Sequence, residues 1–167
     1  MAIADSLLPE FDHEMAGLRR TLERVPAPRL DYRPHPKSST LGQLANHLAG
    51  VPAWVGSTMG GTELDFASPA VRALIPPPQT TLEGLLEVFD QGVAAARTAL
   101  ASASDADFLV VWSGKNHGET LFAMPRIGVV RSFVLNHAIH HRAQLGVYLR
   151  LLDLPVPALY GPSADEN

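Results

Sequence analysis

Cysteine is absent from the 167 residues, which excludes disulfides and every thiolate metal site. The chain must rely on its core alone, and at this length a domain buries roughly two-thirds of its unfolded surface. The same absence fits a reducing compartment. No apolar run approaches the roughly 18 uninterrupted residues of a membrane span. The opening Met1-Ala2-Ile3-Ala4-Asp5 lacks the basic region and apolar stretch of a secretory signal. A cytoplasmic protein with no membrane partner is the expectation. Lysine is nearly missing too: Lys37 and Lys115 are the only two, the other basic residues are scattered arginines, and the net charge is −4. Phosphate backbones are gripped by a basic stripe, so nucleic acid is not expected as a partner. There is no Gly-x-Ser-x-Gly elbow, no Walker loop and no His-Glu-x-x-His. No internal repeat or low-complexity tract interrupts what reads as one domain, 1–167, with an extended tail from about 154.

What is present is helical periodicity. Leu7, Phe11, Met15, Leu18, Leu22 and Val25 recur at spacings of three and four, one stripe on a helix from about Ser6 to Arg24. Pro26 and Pro28 end it. Ser38-Ser39-Thr40 offers N-caps for a second helix striped with Leu41, Leu44, Leu48, Val51 and Val55. Pro52 lies inside that pattern and predicts a kink or pause, because it lacks an N–H and crowds the carbonyl of Leu48. Gly60 to Gln79, rich in Gly and Pro, reads as a long connection that frees the next helix from running antiparallel. A third helix opens at Thr80, paired with Glu83 in a capping-box pattern, and carries Leu82, Leu86, Phe89, Val93, Ala96 and Leu100. Residues 104–124 fit either a small hairpin or an irregular loop. The fourth helix runs from about Pro125 to Leu152, with Val130, Val134, His137, His141, Leu145, Tyr148 and Leu152 on one stripe. The expected architecture is all-α, a four-helix bundle with a long second-to-third connection and a small loop or hairpin before the fourth helix.

Chemistry concentrates in the histidines. His137 and His141 are four residues apart, which on a helix turns the side chain by about 40° and lifts it about 6 Å, so both rings can converge on one ion. His47 falls one helical step from Leu44 and Val51 and can face the same core. His140 competes as a ligand but points toward Phe133 and Val147, which favours a rim role. His13 reads as a surface residue, His35 as a loop residue between prolines, and His117 as the exposed middle of a turn. Asp153, Asp165 and Glu166 read as solvated charges.

The fourth helix carries a more specific signal. Phe133-Val134-Leu135-Asn136-His137-Ala138-Ile139-His140-His141-Arg142-Ala143-Gln144-Leu145, continuing through Tyr148 to the tail at Glu166, resembles the DinB-like family, a bundle superfamily that includes YfiT-like proteins. Thr40-Leu41-Gly42-Gln43-Leu44-Ala45-Asn46-His47-Leu48, followed by Pro52-Ala53-Trp54 and Leu64-Asp65-Phe66, carries a second match. The resemblance implies a three-histidine metal centre, one ligand from the second helix and two from the fourth, at His47, His137 and His141. Three neutral imidazoles leave coordination positions open. Imidazole suits zinc, nickel, iron or copper, and the resemblance favours a divalent zinc or nickel. It implies a small-molecule substrate and, by analogy with relatives, a low-molecular-weight thiol activated for transfer to an electrophile. Two alternatives stand beside it: a hydrolase using metal-bound hydroxide, and a non-catalytic stress-response module whose metal staples two helices. A homodimer is expected by the same analogy. Trp54 and Trp112, with the segments 60–79 and 112–124, are candidates for the site's mouth.

Overall fold

The apolar stripe that begins at Leu7 lies on helix α1, Ile3–Leu22, with Leu7, Phe11, Leu18 and Leu22 fully buried. The computed structural model describes residues 2–73 and 75–166. α1 starts earlier than the expected Ser6 because its first turn finds acceptors. Ala2 donates its N–H to Asp5 Oδ2 at 2.9 Å, and Ile3 donates to Asp105 Oδ1 at 2.7 Å. Both would otherwise be orphan donors.

Helix α2, Leu41–Gly50, is capped by Thr40 in a full capping box. Gln43 N–H donates to Thr40 Oγ1 at 3.1 Å, and Thr40 N–H donates to Gln43 Oε1 at 2.8 Å. The pause expected at Pro52 takes the form of a 3₁₀ turn, Val51–Ala53, before helix α3, Trp54–Gly60. The long connection is more ordered than a loop: it holds strand β1, Glu63–Asp65, and a short helix α4, Pro69–Ala73. Its far end is pinned beside α2, where the Asn46 amide donates to Gln79 O at 3.0 Å and its carbonyl accepts from Gln79 N–H at 2.6 Å.

Helix α5, Leu82–Ser102, is capped by Thr81, whose hydroxyl accepts from Gly84 N–H at 3.1 Å. The expected Thr80–Glu83 box does not form. The buried line is Leu85, Phe89, Gly92, Ala96 and Leu100, while Leu82, Leu86 and Val93 are half-buried, so the face is rotated from the expected stripe. The rotation brings Gly92 to the 3₁₀ turn, where a Cβ would stand 3.3 Å from Ala53 N. A residue without a side chain permits that approach.

The all-α expectation needs correcting. After helix α6, Asp105–Leu109, strands β2, Val111–Asn116, and β3, Glu119–Pro125, form the hairpin that the sequence left open against an irregular loop. β1 joins it in parallel, giving a three-stranded sheet of order β1-β2-β3 on a mostly helical protein. His117 and Gly118 have φ of 51° and 81°, the positive values of mirror-image hairpin turns. Asp65 holds the turn to β1, accepting from His117 N–H at 3.1 Å and Gly118 N–H at 2.7 Å. The N–H of Ala67 first, and then those of Gly118 and His117, hold its carboxyl below its usual range. The pairing of β1 with β2 spans 50 residues and leaves no trace in local periodicity, so it lies outside what the sequence pattern predicts.

The last helical run is continuous, as expected, but built in three parts: α7, Arg126–Val129, a π-helical stretch Val130–Asn136, and α8, His137–Leu151. Phe133, which looked off-stripe, stacks on Phe122 of β3 at 4.4 Å between centroids and so fastens the sheet to this helix. α1 packs against α5 and α8, and α2 packs against the same two. The tail folds back on this core. Asp165 and Glu166 are not free charges: they pair with Arg150 and Arg24 and accept backbone N–H bonds from Val156 and Ala158. Among the described residues no helix is long and apolar enough to cross a membrane.

Candidate metal centre

The π-helical stretch ends at His137. Its wider i→i+5 turns take more residues per revolution, so they set the direction from which the following side chains project. From there His137 and His141 project four residues apart with ring centroids 4.5 Å from each other. α2 brings His47 to 4.9 Å from His137 and 4.8 Å from His141, centroid to centroid. Each ring offers one nitrogen, and the three nitrogens lie within 4.8 Å of one another. Among the described residues this is the one group of three or more His, Asp or Glu side chains placed so, and no carboxylate belongs to it.

The cluster stands at the edge of the core rather than in it. The fully buried residues of α8 are Ala138, Arg142, Leu145 and Leu149. At about 100° per residue, His141 lies roughly 60° and His137 roughly 100° around the helix from Ala138. All three histidines are half-buried, which corrects the expectation that they occupy the apolar stripe. An ion held here is reachable from solvent.

Burial still governs the rings' charge. It draws the His47 pKa down to about 4, with repulsion from His137 and His141 adding to the effect. His137 is lowered as well, by burial first and then by His141 and His140. For His47 and His137 neutral imidazole is therefore the resident form at neutral pH, and it is the form that ligates. The geometry is near what an ion needs. His47 Nε2 and His137 Nε2 are 2.6 Å apart, whereas two tetrahedral ligand nitrogens at about 2.0–2.1 Å from an ion stand roughly 3.3 Å apart. Ion entry would part these rings by less than about 1 Å, within the reach of a half-buried side chain.

Trp54, two turns after His47, covers one side. Its ring lies 5.7 Å from that of His47 and 5.4 Å from that of His137, and the residue is 40% exposed. Trp112 does not join it. It is buried beside Phe122 in the sheet, at 6.0 Å between ring centroids, which corrects its assignment to the site's mouth. His140 is exposed and within 3.2 Å of Gln144 Nε2, the rim position expected. His117 is exposed at the hairpin turn, His35 accepts from Lys37 N–H in its loop, and His13 is exposed near Tyr160.

Two features escaped the sequence reading. Arg142, beside His141, is buried and paired with Glu14 at 2.9 Å, while Tyr160 from the tail donates to Glu14 Oε2 at 2.7 Å. The signal was there: Arg142 occupies the helical position between Ala138 and Leu145, where solvent is unavailable. A groove of about 310 Å³ opens next to this brace, lined by Thr21, Gly146, Val156 and Leu159 among others. It lies on the opposite flank of α8 from the histidines and has no part in their chemistry. The other missed residue is Gln144, whose Oε1 lies 2.7 Å from His141 Nδ1; its place three residues after His141 puts it on the same helix face.

Comparison with known proteins agrees with this architecture. A DinB-like protein from Bacillus cereus ATCC 10987 superimposes with a TM-score of 0.72 at 21% identity, over 95% of this chain and 98% of that one. A second DinB-like protein, YjoA of Bacillus subtilis, gives a TM-score of 0.69 at 14% identity, over 91% of this chain and 96% of that one. In sequence the chain is 26% identical over 166 residues to YrdA of Bacillus subtilis (strain 168), an uncharacterized protein, covering 97% of this chain and 90% of YrdA. The DinB family model matches residues 3–167, essentially the whole chain, and the protein belongs to the DinB family.

Proposed function

We propose that His47, His137 and His141 hold a divalent zinc or nickel ion, and that the protein is a metal-dependent transferase joining a low-molecular-weight thiol to an electrophilic small molecule. The observation that carries this reading is the cluster itself: three imidazole nitrogens within 4.8 Å of one another, half-buried and without a carboxylate. Such a donor set leaves coordination positions for a substrate. A bound ion would supply Lewis acidity that lowers the pKa of a thiol beside it.

The chain's own residues do the rest. His47 and His137, whose charged forms burial disfavours, and His141 beside them supply the three ring nitrogens that would hold the ion. The exposed face of Trp54 gives an apolar wall against which an organic electrophile packs, and it keeps water from that side. In the net reaction one S–C bond forms, the thiol proton passes to solvent, and the leaving group departs with the electron pair of its broken bond. Hydrolysis is the second reading. It would use an open coordination position to lower the pKa of a bound water, and the thiol route is preferred to it by analogy with relatives.

The test begins with protein stripped by a chelator and reloaded with zinc or nickel. Consumption of a thiol in the presence of a chlorinated arene, dependent on metal, is the expected result. Turnover of ester or amide panels instead would favour the hydrolase. No turnover on either panel, with unfolding on metal removal, would assign the ion a structural role.

A further inference from the structure

Gln144 lies on the same face of α8 as two histidines and bonds to both. Its Oε1 is 2.7 Å from His141 Nδ1, and its Nε2 is 3.2 Å from His140 Nε2. A carboxamide oxygen only accepts, so the short contact requires a proton on His141 Nδ1. A neutral imidazole carries one ring proton. His141 Nε2 is then left with a free lone pair, the one available for ligation. The other half of the side chain agrees: the Gln144 NH₂ can only donate, and His140 Nε2 accepts from it. Reversing the amide would put a donor against Nδ1 and move the proton to Nε2, where it would block ligation.

We infer that Gln144 is a positioning residue that locks His141 in the tautomer and ring orientation needed to ligate the metal through Nε2. The inference rests on the metal-centre reading for its consequence, but the tautomer is a property of the metal-free protein and can be measured apart from it. Residues that hold the second nitrogen of a metal-bound histidine typically change metal affinity by 10–100-fold when removed. Gln144 is exposed, so water competes with it, and the lower end, about tenfold, is expected here.

The experiment compares wild type, Gln144→Ala, Gln144→Glu and His140→Ala. Zinc affinity is measured by chelator competition, and the His141 tautomer by ¹⁵N NMR of metal-free protein. Alanine is the best helix former and the site is exposed, so Gln144→Ala should fold. It is expected to weaken zinc binding about tenfold and to lose the predominance of Nδ1–H in His141. Gln144→Glu, which keeps an acceptor oxygen at the same reach, is expected to restore both. His140→Ala removes only the outer contact and should stay within about threefold of wild type. Unchanged affinity and tautomer in Gln144→Ala would overturn the inference. So would a Gln144→Glu variant as weak as the alanine variant, or an equal loss in His140→Ala. If wild type binds no zinc, the metal reading fails, and the tautomer comparison alone decides the role of Gln144.

Discussion

Arg142 and Glu14 meet at 2.9 Å with side chains only 3% and 10% exposed, tying α8 to α1 one residue beyond His141. Arg142 also donates to the Glu14 carbonyl at 3.1 Å and to the Tyr160 hydroxyl, so the tail closes the network. Removing one partner of such a pair leaves the other charge buried alone. Arg142→Ala is expected to destabilise the fold by about 3–5 kcal/mol. Tyr160→Phe removes a hydrogen bond to a charged acceptor and should cost about 1.5–3 kcal/mol. Urea midpoints of the two variants check both values. An Arg142→Ala variant within about 1 kcal/mol of wild type would mean that the network is not closed in solution.

The ligand assignment predicts a pattern across five alanine variants. His47→Ala, His137→Ala and His141→Ala should each lose stoichiometric metal, while His140→Ala and His13→Ala should keep it. The measurement is metal content after dialysis. Loss in His140→Ala with retention in His141→Ala would move the ligand to the rim of α8, and retention in all five would place the metal elsewhere.

The depressed histidine pKa values predict a direction for pH. In the metal-free protein His47 titrates near 4 when folded and near the ordinary value of about 6.5 when unfolded. Between these values the unfolded chain binds the extra proton, so stability rises with pH across the window. The contribution is fully present above about 6.5 and is lost as pH falls through about 4. His137 is shifted in the same direction. Unfolding midpoints from pH 7.5 to 4 should therefore fall more steeply for wild type than for His47→Asn, which has no ring to titrate. Acid release of metal follows the same logic. It should occur below the unperturbed histidine value, because burial disfavours protonating His47 and His137. Equal slopes in the two proteins would contradict the burial of His47.

How far the sequence could be read depended on the range of the interactions. Local signals carried the helices: Thr40, one of the three candidate caps Ser38-Ser39-Thr40, capped α2, Pro52 broke the helix where its missing N–H required, and the apolar spacing of α1 matched its buried face. Thr81 rather than Thr80 capped α5, a one-residue difference that two adjacent threonines cannot settle locally. The pairing of Glu63 with Ser113 was not legible, because strand partners far apart in sequence leave no periodic trace. At the site, the i, i+4 pair and the resemblance led to the three histidines that the structure brings together. Their place at the edge of the core, and the buried brace of Arg142 with Glu14, needed the packing of α1 and the tail to become visible.

Trp54 provides an optical test of the site's geometry. Its ring is within 5.7 Å of the His47 ring and 5.4 Å of the His137 ring, whereas Trp112 is buried against Phe122 in the sheet. A paramagnetic nickel ion quenches an excited indole strongly at such short range. Titrating nickel into metal-free protein should therefore quench the fluorescence of the 40% exposed Trp54 and leave that of Trp112 much less affected. Trp54→Phe should abolish most of the response while keeping nickel stoichiometry, and Trp112→Phe should preserve the response. A separate variant, Trp54→Ala, should raise KM for an aromatic electrophile more than it lowers kcat, because a wall that binds substrate and transition state alike contributes mainly to binding. Quenching that survives Trp54→Phe undiminished would place the ion away from His47 and His137.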